Sequence, residues 1–305
     1  MLLLRGSRQA SYRGFFRLLS EQHVPFAVSD NLRWMEDGRK FDLVIAPDGV
    51  TAEVERYVRA GGRLLVAGAA PPPAAFGTAT GATKRGPAQA AWRIHDRDRA
   101  LLPSLKDTNL LFLDGEYAEL SSAPDTSPGE RRLLTLIPPA MFGPPEKVWV
   151  DKVETTIPGL IVKSHGERGG RIAYVPWDVG GLYYRHSSQA HAGLMTDLID
   201  HLLPDGRQLK SSAHPLVEIT VMRQPDRKRT LVHLVNLTGH SDTAYFDPIE
   251  MRDISIELAA PFASARAMVV NQPLTVSRTG DRGRLVLPSL GAYEVIVLDD
   301  SVTGR

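Results

Sequence analysis

The stretch FDLVIAPDGVTAEVERYVRAGGRLLVAG, residues 41–68, decides the fold class. Its first six and last six residues are almost continuously apolar, which is typical of strands covered on both faces. The segment between them predicts a helix that is capped by Thr51 and ended by the pair Gly61 and Gly62. A strand, a helix and a strand in such close succession predict a parallel sheet with right-handed crossovers.

The residues before this stretch continue the alternation of helix and strand. Ser11 predicts a second helix cap. The apolar residues after it recur at the i, i+3, i+4 and i+7 spacing of one buried helix face: Tyr12, Phe15, Phe16 and Leu19. Residues 24–28 follow as a short predicted strand. The first third of the chain therefore predicts an α/β architecture.

Residues 71–91 break this pattern, because they are rich in Pro, Ala, Gly and Thr and have no apolar period. A structureless loop of about 20 residues is unusual inside a compact domain. Two interpretations stay open. The segment is either a loop at the carboxyl edge of the sheet that contacts a partner or ligand, or a mobile insertion.

The rest of the chain divides into a second α/β part and an all-β part. Strands are predicted at 110–113, 133–137, 159–163 and 171–175, and a helix at 190–203 with Leu194, Leu198 and Leu202 on one stripe. After a polar linker at 205–214, turn residues separate short strands at 216–222, 230–237, 254–258, 265–270, 284–287 and 293–298. This pattern predicts an antiparallel sandwich. The predicted domains are 1–205 and 214–300.

The composition argues against several classes of partner and site. Lys plus Arg is 36 and Asp plus Glu is 35, so the net charge of +1 gives no electrostatic reason to expect nucleic acid or an anionic membrane. The absence of cysteine excludes disulfides, thiolate metal sites and cysteine nucleophiles. The apolar run Leu2 to Leu4 is too short for a signal peptide, so we expect a cytoplasmic protein. No apolar stretch reaches the ~20 residues that span a bilayer.

Several strings, in their order and spacing, resemble one family of enzymes. In the α/β part they are YRGFFRLLSEQHVPFAV (12–28), FDLVIAP (41–47), VERYVRAGGRLLVAG (54–68), PPEKVW (144–149) and GGRIAYVPWDVGGLYYRHS (169–187). In the sandwich part they are VHLVNLTG (232–239) and LPSLGAYEVIVL (287–298). These strings resemble the amidotransferase-like trimerisation domain and the closing β-domain of family 42 β-galactosidases and related glycoside hydrolases.

The resemblance implies a fold and a role. The fold would be a flavodoxin-like, class I amidotransferase-like domain followed by a small β-sandwich. The two catalytic carboxylates of the family lie on a (β/α)8 barrel that precedes this region and that the chain lacks, so no catalytic residue is carried over. The resemblance therefore implies the non-catalytic C-terminal portion of a hydrolase, which would form a homo-oligomer, a trimer in the family, and help to shape a carbohydrate site.

The motifs of other chemistries are missing. An active amidotransferase places a cysteine nucleophile on the turn after a central strand, where this chain has Gly68, Ala69 and Ala70. Neither a G-x-S-x-G elbow nor a glycine-rich phosphate loop is present. His186 and His191 are five residues apart, which does not align them on one helix face as metal ligands. We therefore expect no cofactor and no metal.

One cluster of residues suggests binding: Trp177, Asp178, Tyr183, Tyr184, Arg185 and His186. It follows the strand at 171–175, and ligands of open α/β sheets bind at the carboxyl edge. Aromatic rings can stack on a sugar while Asp and Arg bind its hydroxyl groups. Three interpretations stay open for this cluster, namely a carbohydrate site, a subunit contact and a packed corner with Asp178 satisfied by backbone amides.

The sequence leaves open whether the chain is an enzyme. Glycoside hydrolysis needs two carboxyl groups at a fixed separation, and the available ones are Glu116, Glu146, Asp151, Glu154 and Asp178. The alternatives to a non-catalytic portion are a free-standing carbohydrate-binding protein and a glycosidase with an unrecognised carboxylate pair. A fragment whose barrel is encoded upstream is a further alternative.

Overall fold

The computed structural model describes residues 1–33, 41–47, 49–70, 82–120, 129–139, 155–165 and 170–300. The chain forms two compact units. An α/β unit consists of Met1–Leu18 and Phe26–Pro204, and a β unit consists of Leu19–Pro25 and Asp205–Arg305. No helix among the described residues is long and apolar enough to cross a membrane.

A nine-stranded sheet forms the centre of the α/β unit, with strand order β2-β1-β3-β4-β9-β8-β7-β5-β6. Its strands are β1 (Leu2–Leu4), β2 (Ala27–Ser29), β3 (Val44–Ala46), β4 (Arg63–Ala67), β5 (Ala82–Arg93), β6 (Leu110–Leu120), β7 (Glu130–Ile137), β8 (Pro158–His165) and β9 (Gly170–Val175). The first five strands in this order are parallel and the remaining pairings are antiparallel. The predicted parallel sheet is therefore a mixed sheet, because consecutive strands without crossover helices pair antiparallel.

Among the described residues, four α-helices accompany the sheet: α1 (Gln9–Glu21), α2 (Ala52–Arg59), α3 (Val179–His186) and α4 (Gln189–Leu202). The prediction for α2 is confirmed, since Thr51 caps it by accepting a hydrogen bond from the Val54 amide at 3.4 Å. The inner stripe of α2 buries Val54 and Val58. Gly61 adopts a φ of 97° just after the helix, a left-handed conformation that suits glycine.

The start and the outer face of α1 differ from the prediction. The helix begins at Gln9, so Ser11 lies inside it, and its buried hydroxyl donates to Asp178 Oδ1 at 2.7 Å instead of capping the helix. Phe16, predicted to be buried, is 44% exposed and packs edge to face on Phe26 with ring centroids 5.1 Å apart. Local spacing could not show either feature, because both depend on residues distant in sequence.

A strand replaces the second part of the predicted loop at 71–91. Residues 82–93 form β5, which pairs antiparallel with β6 from Ala82 opposite Leu120 to Arg93 opposite Leu110. Half of the residues of β5 are exposed and Trp92 is the one buried along it, so the strand has no apolar period to reveal it. Its backbone pairing with β6 stabilises it instead. The other part of the predicted loop, 71–81, lies outside the described residues.

The β unit is a sandwich of two antiparallel sheets with strand orders β10-β15-β19-β18 and β11-β12-β20-β16-β17, and a hairpin β13-β14. The strands are β10 (Leu209–Ser211), β11 (Val217–Gln224), β12 (Arg229–Asn236), β13 (His240–Ser241), β14 (Ala244–Tyr245), β15 (Met251–Leu258), β16 (Phe262–Ala267), β17 (Gln272–Leu274), β18 (Val276–Thr279), β19 (Arg282–Leu290) and β20 (Tyr293–Asp300). The predicted linker at 205–214 is corrected in part. It contains β10, because Leu209 is fully buried opposite Leu258 of β15.

Two glycines allow α1 and α3 to approach closely. A Cβ atom on Gly14 would lie 1.8 Å from the carbonyl oxygen of Gly180, and one on Gly180 would lie 2.6 Å from the carbonyl oxygen of Ser11. Both distances are far below van der Waals contact with rigid backbone atoms. The two helices can therefore pack at this distance because neither position carries a side chain.

We expect Gly14→Ala to lower the free energy of unfolding by ~1–3 kcal/mol or more, because the added methyl group forces the two helices apart. The measurement is urea denaturation followed by circular dichroism. Gly86→Ala is the matched control, because a Cβ atom there meets nothing within 4 Å. Equal stability of the two variants would show that the close helix contact is not required.

Candidate functional site

Trp177, the first residue of the predicted cluster, lies in the core. Its side chain is fully buried, and its Nε1 donates a hydrogen bond to the Gly159 carbonyl oxygen at 3.0 Å. Its ring centroid lies 6.1 Å from that of Trp92 and 5.6 Å from that of His191. A ring without exposed surface cannot stack on a sugar, so Trp177 is a packing residue in this structure.

Asp178 and Tyr183 also have structural roles. Asp178 caps α3, because its Oδ1 accepts hydrogen bonds from the Gly181 amide at 2.8 Å and from the Ser11 hydroxyl at 2.7 Å. Tyr183 lies one turn further along the helix and is buried. Through Asp178, the start of α3 is tied to α1 near the carboxyl end of β9.

Arg185 closes an exposed edge of the nine-stranded sheet. β6 is the last strand of that sheet, and Arg185 Nη2 donates to the carbonyl oxygen of Asp114 on this edge. His191 Nε2 lies 2.8 Å from the carbonyl oxygen of Phe112, two residues earlier on the same strand. Covering edge carbonyl groups in this way prevents another strand from pairing there.

Three residues of the cluster lie on the surface, namely Tyr184, Arg185 and His186. The Tyr184 ring is 41% exposed, and His186 Nε2 lies 3.7 Å from the Asp114 carboxylate. Two apolar side chains of β6, Leu110 and Phe112, are exposed as well, at 47% and 46%. We call these residues the α3–β6 surface: Leu110, Phe112, Asp114, Tyr184, Arg185 and His186. The structure thus separates the predicted cluster into a buried half and a surface half.

The turn after β4 is the one at which the resemblance to amidotransferases would place a nucleophile. Gly68 adopts a φ of 117°, and its amide donates to the carbonyl oxygen of Trp177 at 3.0 Å. Ala69 is buried, and the Ala70 carbonyl oxygen accepts a hydrogen bond from the Tyr174 hydroxyl at 2.6 Å. Burial raises the pKa of Tyr174, which keeps this donor protonated. The turn has hydrogen-bond partners but no side chain that can attack a carbonyl group.

The candidate carboxylates do not form an acid–base pair among the described residues. Glu116 forms ion pairs with Lys84 at 3.0 Å and with Arg8 at 3.2 Å. The hydrogen bond from Lys84 lowers the pKa of the Glu116 carboxyl group. A general acid of a glycosidase needs the opposite shift. Asp178 is committed to the helix cap. Three other candidates lie outside the described residues: Glu146, Asp151 and Glu154.

Metal binding finds no support in the part of the chain that the structure describes. No group of three or more His, Asp or Glu side chains there could hold a metal ion. His191 is buried against Trp177, whereas His186 is on the surface, so the two histidines considered from sequence have different environments.

Sequence reasoning missed the structural roles of several residues that build this region. Ser11, Gly14 and His191 each act through partners more than 70 residues away. One signal was present: Gly14, Gly180 and Gly181 lie within helical stretches, and a glycine inside a helix often has a packing reason. The partner of each glycine could not be inferred from this signal.

Comparison with known proteins gives matches among solved structures. No protein-family model and no curated protein matches the chain. The α-L-fucosidase isoenzyme 2 from Paenibacillus thiaminolyticus is similar to this chain at a TM-score of 0.72 and 16% identity. The match covers 98% of this chain and 48% of the fucosidase chain. The β-galactosidase from Bacillus circulans sp. alkalophilus is similar at a TM-score of 0.56 and 13% identity. This match covers 94% of the present chain and 37% of the β-galactosidase chain.

A GH42 β-galactosidase from G. stearothermophilus matches 97% of the chain with 40% of its own, at 11% identity and a TM-score of 0.56. The chain has a glycoside hydrolase-related fold. It spans less than half the length of these three enzymes. The identities are low, so the similarity establishes the fold and leaves activity to be argued separately.

The division between buried and surface residues can be tested with two variants. We expect Trp177→Ala to lower the free energy of unfolding by ~3–5 kcal/mol, because it leaves a cavity beside Trp92. Tyr184→Ala should cost less than about 1 kcal/mol, because the ring is partly in solvent. Urea denaturation of both variants measures this difference. Comparable losses in the two would contradict the assignment of Trp177 to the core.

His191 should make stability dependent on pH. Burial lowers the pKa of His191, and its Nδ1 has no hydrogen-bond partner among the described residues, so a proton added there would be an unpaired buried charge. The folded-state pKa therefore lies below the unfolded value of about 6.5. Stability from this group is present above that pH and is lost as the pH falls through the folded pKa.

We expect the free energy of unfolding to decrease between pH 7 and about 5, with a shallower slope in His191→Gln. The slope should not vanish, because burial also lowers the pKa of His23 and of His201. Glutamine keeps a donor for the Phe112 carbonyl oxygen but cannot titrate. Urea denaturation across this range is the measurement, and identical slopes for both proteins would contradict the role of His191.

Proposed function

We propose that the chain is the non-catalytic C-terminal portion of a glycoside hydrolase of the β-galactosidase-like kind and that it serves assembly. One observation carries the proposal. The fold matches almost the whole of this chain and less than half of each hydrolase, and the turn after β4 offers glycine and alanine where chemistry would need a nucleophile. The catalytic carboxylates would then belong to the part of those hydrolases that this chain does not match.

We further infer that the α/β unit is a flavodoxin-like, amidotransferase-like domain. The five parallel strands support this inference, because their spatial order, counted among themselves along the chain, is 2-1-3-4-5. The added antiparallel strands β8, β7, β5 and β6 extend one side of that arrangement. The inference concerns architecture alone, since many unrelated activities share this order.

The α3–β6 surface is the proposed assembly surface of this unit. Leu110, Phe112 and Tyr184 offer apolar area, and Arg185 and Asp114 supply charges of both signs around it. Exposed aromatic residues next to arginine are the typical anchors of protein interfaces. The rigid closure of the sheet edge by Arg185 and His191 holds these side chains in place, so little entropy is lost when a partner binds.

The test is the mass of the purified chain by size exclusion with light scattering. We expect a multiple of 33.5 kDa, with three copies as in the resembling family. Phe112→Lys should reduce this mass, because it places a charge in the contact, whereas Val286→Lys, at a residue of similar exposure on β19, should not. We also expect no hydrolysis of aryl β-galactosides or α-fucosides by the chain.

Each contrary result has a defined meaning. Equal masses for the wild type and Phe112→Lys would reject this surface as the subunit contact. Turnover of either glycoside would reject the non-catalytic assignment and would favour an unrecognised carboxylate pair. A strict monomer that binds galactose or fucose saturably, with binding lost in Tyr184→Ala, would replace assembly by carbohydrate binding.

A further inference from the structure

The exposed apolar residues of the β unit concentrate at one end of the sandwich. Among the described residues of the whole chain, 14 large hydrophobic side chains are exposed. Eight of them form what we call the apolar end: Leu216, Tyr245, Phe246, Ile249, Met268, Val269, Val270 and Tyr293.

Strand pairing places these residues together. Leu216 precedes β11, Tyr293 begins β20 and Met268 follows β16, and the pairing of these strands puts all three positions at the same end of the five-stranded sheet. The hairpin β13–β14 follows β12 in the chain and begins at this end of the sheet. Tyr245 of β14 and Phe246 directly after it are 79% and 70% exposed. Successive residues of an extended segment point to opposite sides, so these two rings lie on opposite sides of the segment.

A buried carboxylate fixes the first of the two segments that carry the apolar end. Glu294 is 1% exposed, and its oxygens accept hydrogen bonds from the amides of Val269 at 2.7 Å and Val270 at 3.1 Å. The valine side chains themselves remain 60% and 44% exposed. The turn therefore presents apolar groups to solvent in a fixed conformation, although apolar groups on a turn are ordinarily unfavourable.

A buried amide fixes the second segment. Asn236 is buried, and its Nδ2 donates to the carbonyl oxygens of Ile249 at 2.8 Å and Gly291 at 2.9 Å. Its Oδ1 accepts from the amide and hydroxyl of Thr238, at 3.1 and 2.7 Å. One side chain thus ties the hairpin segment to the turn before β20. Such preorganisation lowers the entropy that a partner must overcome on binding.

The size of the apolar end matches a protein interface. The eight side chains expose on the order of 800 Å², since an aromatic residue alone offers ~150–250 Å². The largest apolar patch of a typical monomer is ~300–600 Å². A standard interface buries ~800 Å² on each partner.

The composition of the apolar end favours a protein partner, and in particular a second copy of this chain. Five of the eight residues are not aromatic and offer a sugar neither a stacking ring nor a hydrogen bond. Exposed charged residues of both signs lie beside the apolar ones along the same segment, namely Asp242, Asp247 and the Glu250–Arg252 ion pair at 3.5 Å, so two copies can place unlike charges opposite each other. Contacts between identical copies are also the commonest kind of assembly. We propose that the apolar end of the β unit is a contact surface between two copies of this chain.

This interface is independent of the assembly proposed for the α/β unit. The two surfaces share no residue, so either can be removed while the other remains. The experiment therefore compares three lysine substitutions in the full chain: Phe246→Lys at the apolar end, Phe112→Lys on the α3–β6 surface and Met222→Lys as control. Met222 is 52% exposed on β11, six residues, or roughly 20 Å, from Leu216.

Sedimentation velocity from low to high micromolar concentration is the measurement. We expect Phe246→Lys to raise the dissociation constant of self-association by about 30-fold or more, the effect of losing a central aromatic anchor. Val269→Lys should act in the same direction, and Met222→Lys should match the wild type. Circular dichroism checks that each variant is folded. If Phe246→Lys does not fold, Val269→Lys still tests the apolar end.

Hydrogen exchange of the wild type at two concentrations locates the contact. We expect the amides of residues 245–250 and 268–270 to be more protected at the higher concentration. A wild type that stays monomeric throughout would overturn the proposal. An unchanged association constant in both apolar-end variants would do so too, and if Phe112→Lys alone weakened association, assembly through the α/β unit would still stand. Saturable sugar binding at this end without self-association would replace the second copy by a carbohydrate.

Discussion

The packing around the Trp177 indole is the constraint on which the α/β unit depends. The ring lies where three parts of this unit meet: the end of the parallel strands, the antiparallel strands through Gly159 and Trp92, and α4 through His191. The backbone of Trp177 also pairs with Tyr117 of β6 as an isolated bridge. One buried residue therefore links both halves of the mixed sheet and fixes where α3 begins.

The direct consequence is that residue types normally associated with chemistry are used for structure here. Asp178 caps a helix and accepts the Ser11 hydroxyl, and Arg185 covers an edge carbonyl group. At the turn after β4, the backbone of Gly68 and Ala70 is held in hydrogen bonds without a nucleophile. This corner is therefore held together by hydrogen bonds and packing among the described residues.

The two proposed contact surfaces, the α3–β6 surface and the apolar end, are stabilised in the same physical way. In each, a buried or partly buried polar side chain fixes backbone groups, and apolar side chains on the same segment stay exposed. His191 does this at Phe112 of β6, and Glu294 does it at Val269 and Val270. Rigid presentation of apolar groups favours association, because the ordering is completed during folding and is not required again on binding.

The sequence alone determined the elements whose evidence is local. The buried strands β3 and β4, the cap at Thr51 and the stripe of α4 follow from apolar runs, cap chemistry and a period of 3.6 residues, and these depend on near neighbours. The tertiary structure decided what depends on distant pairing. β5 became a strand through β6, and the cluster after β9 was divided into a buried Trp177 and an exposed Tyr184. Such outcomes depend on which residues meet across the fold, and a pattern along the chain contains no information about those contacts.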